Sequence, residues 1–319
     1  MEQYAVTGIG VYNGLGANAE TSWQNLCLGK SAVQPIEWPE DNDAKFPKTH
    51  SALKINTAAL SPKLTAEDSH PKLFDGGWSN WDPNTRACLM SVDEAVNDSQ
   101  LTSKDVGVVV STFGSGTSIR LDIFSALDKG IKKISPRKSL NIGLDFPAAQ
   151  VSSLYKVTGP NTAMDSACTT GLTSIDHAIM TLKTNPDLDA MIVGGSDHLA
   201  EPVYMYWFQS LGALSPFGDL RMASCPFDID RSGFTMGEGA STMIIEPLSK
   251  AKARGAKIYG IVRGTGFVTI FDSDTAPDKD GKGARQVVHK ALANAGLKPQ
   301  DIDLINAHAT STPVGDFIE

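Results

Sequence analysis

An α/β fold built from two related halves is what this sequence predicts, and three observations carry that prediction. Short apolar runs of strand length alternate along the chain with longer amphipathic segments of helical period. A late stretch repeats an earlier one: HKALANAGLKPQDIDLINA (289–307) lies over DEAVNDSQLTSKDVGVVVS (93–111). Ala291 falls on Ala95, Leu297 on Leu101, Asp301 on Asp105, and Ile302, Leu304 and Ile305 on Val106, Val108 and Val109. Each copy reads as helix, polar turn and strand. Between the copies, a helix begins abruptly behind the strand-like NTAMDSA (161–167).

The elements follow in order. The first strand is Tyr4 to Ile9. From Gly29 to Asp82 the pattern dissolves into Pro, Lys, Asp, Ser and Trp without periodicity, which predicts a cap over about 30–82 inserted into the sheet domain. The organisation expected is therefore an N-terminal half, 1–250, carrying that cap, and the start of a C-terminal half, 251–319. A helix over Pro83 to Asn97 leads to the strand Val106 to Val110. Leu172, Ile175, Ile179 and Leu182 form one apolar helical face, so their helix starts close to Cys168. Strands Ala190–Val193, Thr242–Ile245, Ile258–Val262 and Ile302–Ile305 follow. TSTPVGDFIE reads as the first turn of a helix with Thr312 as N-cap and Pro313 at N1. The first half runs on from Ser111 to about Ile245, whereas Glu319 comes soon after Ala307, so the second half is expected to be incomplete.

Composition narrows the function. Of 319 residues, 41% are apolar and 20% charged, enough to bury a sizeable core. A net charge of -8 disfavours general attraction to nucleic acid or anionic lipid. No run of eighteen apolar residues and no basic leader precede the first strand, which predicts a cytoplasmic protein with no membrane partner. The four cysteines lie far apart, so neither a disulfide framework nor a zinc ribbon is expected.

Cys168 is the candidate nucleophile. At a helix N-terminus, free backbone N–H groups and the helix dipole stabilise a thiolate, and an elbow at the end of a strand offers N–H groups to an oxyanion. Cys27 and Cys88 sit on apolar helical faces and read as core; Cys225 has no visible activator. Among the histidines, His50, His70, His177, His198 and His289 read as surface or structural. His308 directly follows a strand, where α/β folds place their chemistry, beside the hydroxyls of Thr310, Ser311 and Thr312.

Together, DSACTTG, AMIVGGSD, CPFDIDRSGFTMGEGA and NAHATSTPVGD resemble the elongating β-ketoacyl-acyl carrier protein synthases of fatty-acid and polyketide synthesis, from TGIGVYNGLG at residue 7 to the end. The resemblance implies the thiolase fold, two duplicated halves in αβαβα layers, and a homodimer. It implies that Cys168 takes an acyl chain from acyl carrier protein, and that a carbanion from malonyl-acyl carrier protein attacks it to give a β-ketoacyl chain two carbons longer. His308 would stabilise the enolate. Thr275, Thr310 and Thr312 would line the pantetheine channel, and Phe234 would lie in a loop near the nucleophile, either there or as core support. No cofactor and no catalytic metal are implied; Asn306 matches a residue of a structural cation site found in some members.

The chain departs from that pattern in three places. The family's lysine and second histidine (KSxTGH-like) and its GFGG loop do not occur, so a C-terminally truncated member supporting acyl transfer is expected. Ala309 stands where relatives carry glycine. DGGWSNWDP precedes the helix at Pro83 in place of a basic docking segment; Lys129, Lys132 and Lys133 read first as a solvated face, and otherwise as basic residues for an acidic carrier protein. The competing readings are a noncatalytic partner subunit resembling chain-length factors, an inactive fragment, a degradative thiolase, or a polyketide synthase domain.

Overall fold

The structure, a computed structural model, describes residues 2–36, 53–63, 73, 77–114, 116–128, 130, 135–270 and 278–319. Their strands are β1 (Tyr4–Asn13), β2 (Val33–Pro35), β3 (Thr57–Ala59), β4 (Val106–Ser111), β5 (Asn161–Thr162), β6 (Ala190–His198), β7 (Met236–Pro247) and β8 (Gly260–Val262). They form one mixed sheet in the order β2-β3-β7-β6-β4-β5, with β1 paired to β7 and β8. β4 is parallel to β6 (Val106 opposite Ala190), and β7 runs antiparallel to both β6 and β1 (Ile245 opposite Met191 and Val6).

Alternation along the central strands sends side chains to two cores. Val108, Ile192 and Ile244 join Leu89, Val92, Ala148 and Val151 on one face, under α2 (Pro83–Ser99) and α4 (Phe146–Tyr155). Val109, Met191, Val193 and Ile245 join Ala178, Ile179 and Leu182 on the other, under α5 (Thr170–Thr184). Each fully buried Val or Leu contributes about 1.5–3 kcal/mol relative to exposure. The remaining helices used below are α1 (Ala19–Cys27), α3 (Thr117–Asp128), α6 (Pro202–Ser210), α7 (Lys282–Ala295) and α8 (Pro313–Ile318).

α2 starts where expected, with Asp82 as N-cap accepting from Thr85 N at 2.8 Å and Pro83 in the first turn. It lies very close to β1: a methyl group on Gly10 would sit 1.8 Å from the Ser91 carbonyl oxygen. Only glycine lets helix and strand backbones approach so far. Glu94 and Asp98 of α2 then accept from the N–H groups of Val11 and Ile9.

Of the segment read as a cap, β2 and β3 extend the main sheet, and Trp78 and Trp81 enter the first core. The two rings meet edge to face at 6.3 Å, and Arg86 lies over Trp78. The described part of DGGWSNWDP is thus a packing element. Lys129, Lys132 and Lys133 fall outside the described residues.

Several local expectations need correcting. Ile302–Ile305 is not in a strand: no described strand pairs with it, and Leu304 and Ile305 are 84% and 75% exposed. An apolar run becomes a strand only when a neighbour completes its ladder. NTAMDSA pairs with β4 only at Asn161 and Thr162. Leu172, on the apolar face of α5, is 67% exposed, while Ile179 and Leu182 are buried. Cys27 is exposed, as are Trp23 and Leu26 on the same helix α1 and Leu28 just after it. Among the described residues, no helix is long and apolar enough to cross a membrane.

Candidate active site

Cys168 occupies a single 3-10 turn, Ala167–Thr169, that continues directly into α5. The sequence around it builds the elbow. Ala167 N–H donates to Asp165 Oδ1 at 2.9 Å, Ser166 N–H to Thr170 Oγ1 at 2.8 Å, and Thr170 Oγ1–H to the Ala167 carbonyl at 2.6 Å. These bonds hold Ala167 at φ 51, a left-handed conformation that residues with a Cβ rarely adopt. The thiol is exposed at the turn.

His308 meets it from the C-terminal segment. The imidazole hydrogen bond to the sulfur is the main reason the Cys168 thiol lies below its usual range; the imidazolium charge and the residue's own N–H add to this, while partial burial and the Asp197 carboxylate oppose it. His308 is raised in turn, first by its bond to Cys168 and then by the charges of Cys168, Glu319 and Asp316. The pair favours thiolate and imidazolium together, the nucleophilic form.

The backbone beside His308 is held by Ser311 of the hydroxyl cluster and by two acids, Glu319 and Asp316, that sequence reading did not single out. Glu319 accepts from His308 N–H at 2.6 Å and from Ala309 N–H at 2.7 Å. Buried Ser311, at φ 64, accepts from Cys225 N–H at 3.0 Å through Oγ and from Gly233 N–H at 2.9 Å through its carbonyl. Asp316 accepts from Phe227 N–H at 2.8 Å. Two acids in the turn after a capping threonine were the available signal; the Phe227 N–H that Asp316 accepts lies 89 residues away in sequence, and the Cys225 N–H that Ser311 accepts lies 86 away.

Ala309 adopts φ 45, a left-handed conformation that favours glycine. Ala309→Gly is expected to raise folding stability by about 0.5–1 kcal/mol. Urea unfolding would measure it, and a decrease would show that the turn carries no strain.

The other candidates divide. Thr310 and Thr312 hydroxyls lie 3.0 Å apart, and Thr312 caps α8 by accepting from Gly315 N–H at 3.2 Å, with Pro313 in its first turn as expected. Phe234 packs edge-on against Phe208 at 5.5 Å within a buried apolar cluster, the core-support arrangement. Thr275 lies outside the described residues. Asn306 is exposed, and no group of three His, Cys, Asp or Glu among the described residues is arranged to hold a metal ion. His198 pairs with Glu238 at 3.2 Å, and burial pushes the Cys88 thiol up to about 12, so both fit structural roles.

Asp197, near the end of β6, gathers the turn after β4, and its charge acts on Cys168. Its Oδ1 accepts from Thr112 Oγ1 at 3.2 Å, Phe113 N–H at 3.0 Å and Gly114 N–H at 2.8 Å. Burial raises this carboxyl against those three donors.

Comparison with known proteins accounts for the arrangement. The description "Beta-ketoacyl synthase, N-terminal domain" matches residues 1–251, and "Beta-ketoacyl synthase, C-terminal domain" matches 259–319. The 3-oxoacyl-[acyl-carrier-protein] synthase 2 of Staphylococcus aureus (strain COL) is 31% identical over 324 residues, covering 100% of this chain and 75% of the relative. The mitochondrial 3-oxoacyl-[acyl-carrier-protein] synthase of Arabidopsis thaliana is 33% identical over 334 residues, covering 98% of this chain and 71% of the relative. Among solved structures, the ishigamide ketosynthase/chain length factor superposes with a TM-score of 0.82 at 25% identity, covering 100% of this chain and 76% of that one. A β-ketoacyl synthase from Burkholderia phymatum gives 0.81 at 26%, with the same coverage. The thiolase-like fold expected from the sequence is the fold of these ketosynthases, and the chain belongs to the β-ketoacyl synthase family, an acyltransferase-class enzyme.

Proposed function

We propose that Cys168 is the acyl-accepting nucleophile of a β-ketoacyl-acyl carrier protein synthase and that His308 is its proton partner. The mutual influence of these two side chains, 140 residues apart in sequence, which lowers the Cys168 thiol and raises His308, carries the reading. The Cys168 thiolate attacks the carbonyl of an acyl thioester. The C–S bond to the donor breaks, and the leaving pantetheine thiolate takes the imidazolium proton of His308.

In the condensation that the family carries out, malonyl-acyl carrier protein loses carbon dioxide, its carbanion attacks the Cys168 thioester, and the thiolate leaves. His308 would donate to the enolate oxygen formed in that step. Thr310 and Thr312, beside it, belong to the proposed pantetheine path, as does Thr275. Phe234 supports the loop next to that path. The carrier partner is named in the descriptions of the Staphylococcus and Arabidopsis relatives.

The proposal includes a homodimer, supported by the place of two-residue β5 at the end of the sheet that the described strands form. It also includes the cytoplasm, since a free, acidified thiol needs a reducing compartment. The retained Cys168–His308 pair favours an enzyme over a noncatalytic partner subunit.

Intact-protein mass after incubation with acyl-coenzyme A or acyl-acyl carrier protein tests the reading. One acyl increment on the peptide containing Cys168 is expected. A folded sample with no increment, or with the increment elsewhere, would overturn it.

A further inference from the structure

We infer that Ser111 is a positioning residue for Cys168, tying the segment that enters the elbow to the helix that leaves it. The inference rests on the reading of Cys168 as the acylated residue. Ser111 is the last residue of β4 and is 1% exposed. Its Oγ accepts from Met164 N–H at 3.3 Å and lies 2.8 Å from the Oγ of Ser174, a fully buried residue of α5. Met164 stands four residues before Cys168, and Ser174 stands six after it.

The protons of this pair can be assigned. Ser174 Oγ–H donates to the Thr170 carbonyl at 2.9 Å, so the hydrogen between the two serines comes from Ser111. Thr170 carries the run onward: its own hydroxyl donates to the Ala167 carbonyl at 2.6 Å and accepts from Ser166 N–H at 2.8 Å. That carbonyl belongs to the peptide bond joining Ala167 to Cys168. A run of hydrogen bonds through α5 therefore leads from the end of β4 to the peptide that carries the nucleophile.

Around this run the second core is apolar, with Val109 of β4, Ala178 of α5, and Met164 and Ile175 packed against them. Contacts of that kind have no direction, so they leave a helix free to slide or turn slightly along a strand. Two hydroxyls buried among them add little net stability, because both gave up water to pair. What the pair adds is register. A displacement of about 1 Å at a reacting group can cost about 100-fold in rate, so register at the elbow is register of the sulfur.

Ser111→Ala strands the Met164 N–H and takes from Ser174 its donor. The saturating rate at which acetyl-coenzyme A loads Cys168, followed by intact mass, is expected to fall about tenfold, with the half-saturating concentration moving less than about twofold. Adding Ser174→Ala removes the unpaired hydroxyl, so the urea unfolding midpoint should return toward wild type while loading stays slow. A serine serving structure alone would let loading recover with the midpoint. Loading by folded Ser111→Ala within about twofold of wild type, a loss carried by half-saturation rather than rate, or joint recovery in the double variant would overturn the inference. If the single variant does not fold, wild-type loading by the double variant overturns it. Folded wild type that takes up no acetyl group would overturn the reading of Cys168 and this inference with it.

Discussion

Cys168→Ala is expected to leave no acyl increment at all, and His308→Ala to slow loading at pH 7 by about 10–100-fold. The sign follows from the forces on the sulfur. In the wild type the hydrogen bond from His308 is the largest influence, and it lowers the thiol's pKa; the imidazolium charge acts the same way. Removing the ring removes both. Partial burial and Asp197, which raise the pKa, are then opposed only by the residue's own N–H. The midpoint of iodoacetamide alkylation against pH should therefore move to higher pH in His308→Ala. Below that midpoint, each unit of displacement lowers the thiolate fraction about tenfold. Asp197→Asn removes an opposing charge, so its midpoint should move to lower pH. An alkylation profile unchanged in His308→Ala would mean that the imidazole does not govern the thiolate.

Those two side chains were legible because each carries a local signature. Cys168 precedes an apolar helical stripe, and the structure starts a helix there; His308 precedes Thr312 and Pro313, which cap and open α8. The central strands β1, β4, β6 and β7 and the helix beginning at Pro83 announced themselves through apolar runs and a capping residue, with β8 two residues shorter than its run. β2 and β3 have three residues each, too few for any period to emerge. Ile302–Ile305 has the composition of a buried strand, but pairing depends on a neighbour that composition does not reveal. Asp197, Asp316 and Glu319 act on backbone groups, and a backbone N–H has no letter in the sequence. Asp197 reaches back to Thr112, and Asp316 reaches back to Phe227, so only the fold brings each acid to its donors.

The largest stability loss is expected from Asp316→Ala, at about 3–5 kcal/mol. The Asp316 side chain is 1% exposed; its Oδ2 accepts from Phe227 N–H at 2.8 Å and lies 3.7 Å from Arg231 Nε. Arg231 also donates to the carbonyls of Thr312 at 3.2 Å and Pro313 at 2.7 Å, so the carboxylate anchors a guanidinium that laces the 227–231 loop to α8. Alanine would leave that cation facing carbonyl oxygens alone. It would also strand the N–H of Phe227, whose φ of 62 is held by the bond. Asp316→Asn keeps an acceptor for Phe227 while losing the charge, and should fall between alanine and wild type. Losing only a helix cap, as in Thr312→Ala, would cost about 1 kcal/mol, so the two substitutions separate lacing from capping. The same lacing frames the backbone of His308 through Ser311 and Gly233. Asp316→Ala should therefore lower the unfolding midpoint and also shift Cys168 alkylation toward the profile of His308→Ala. Wild-type stability with a wild-type profile would show that α8 holds His308 without this carboxylate.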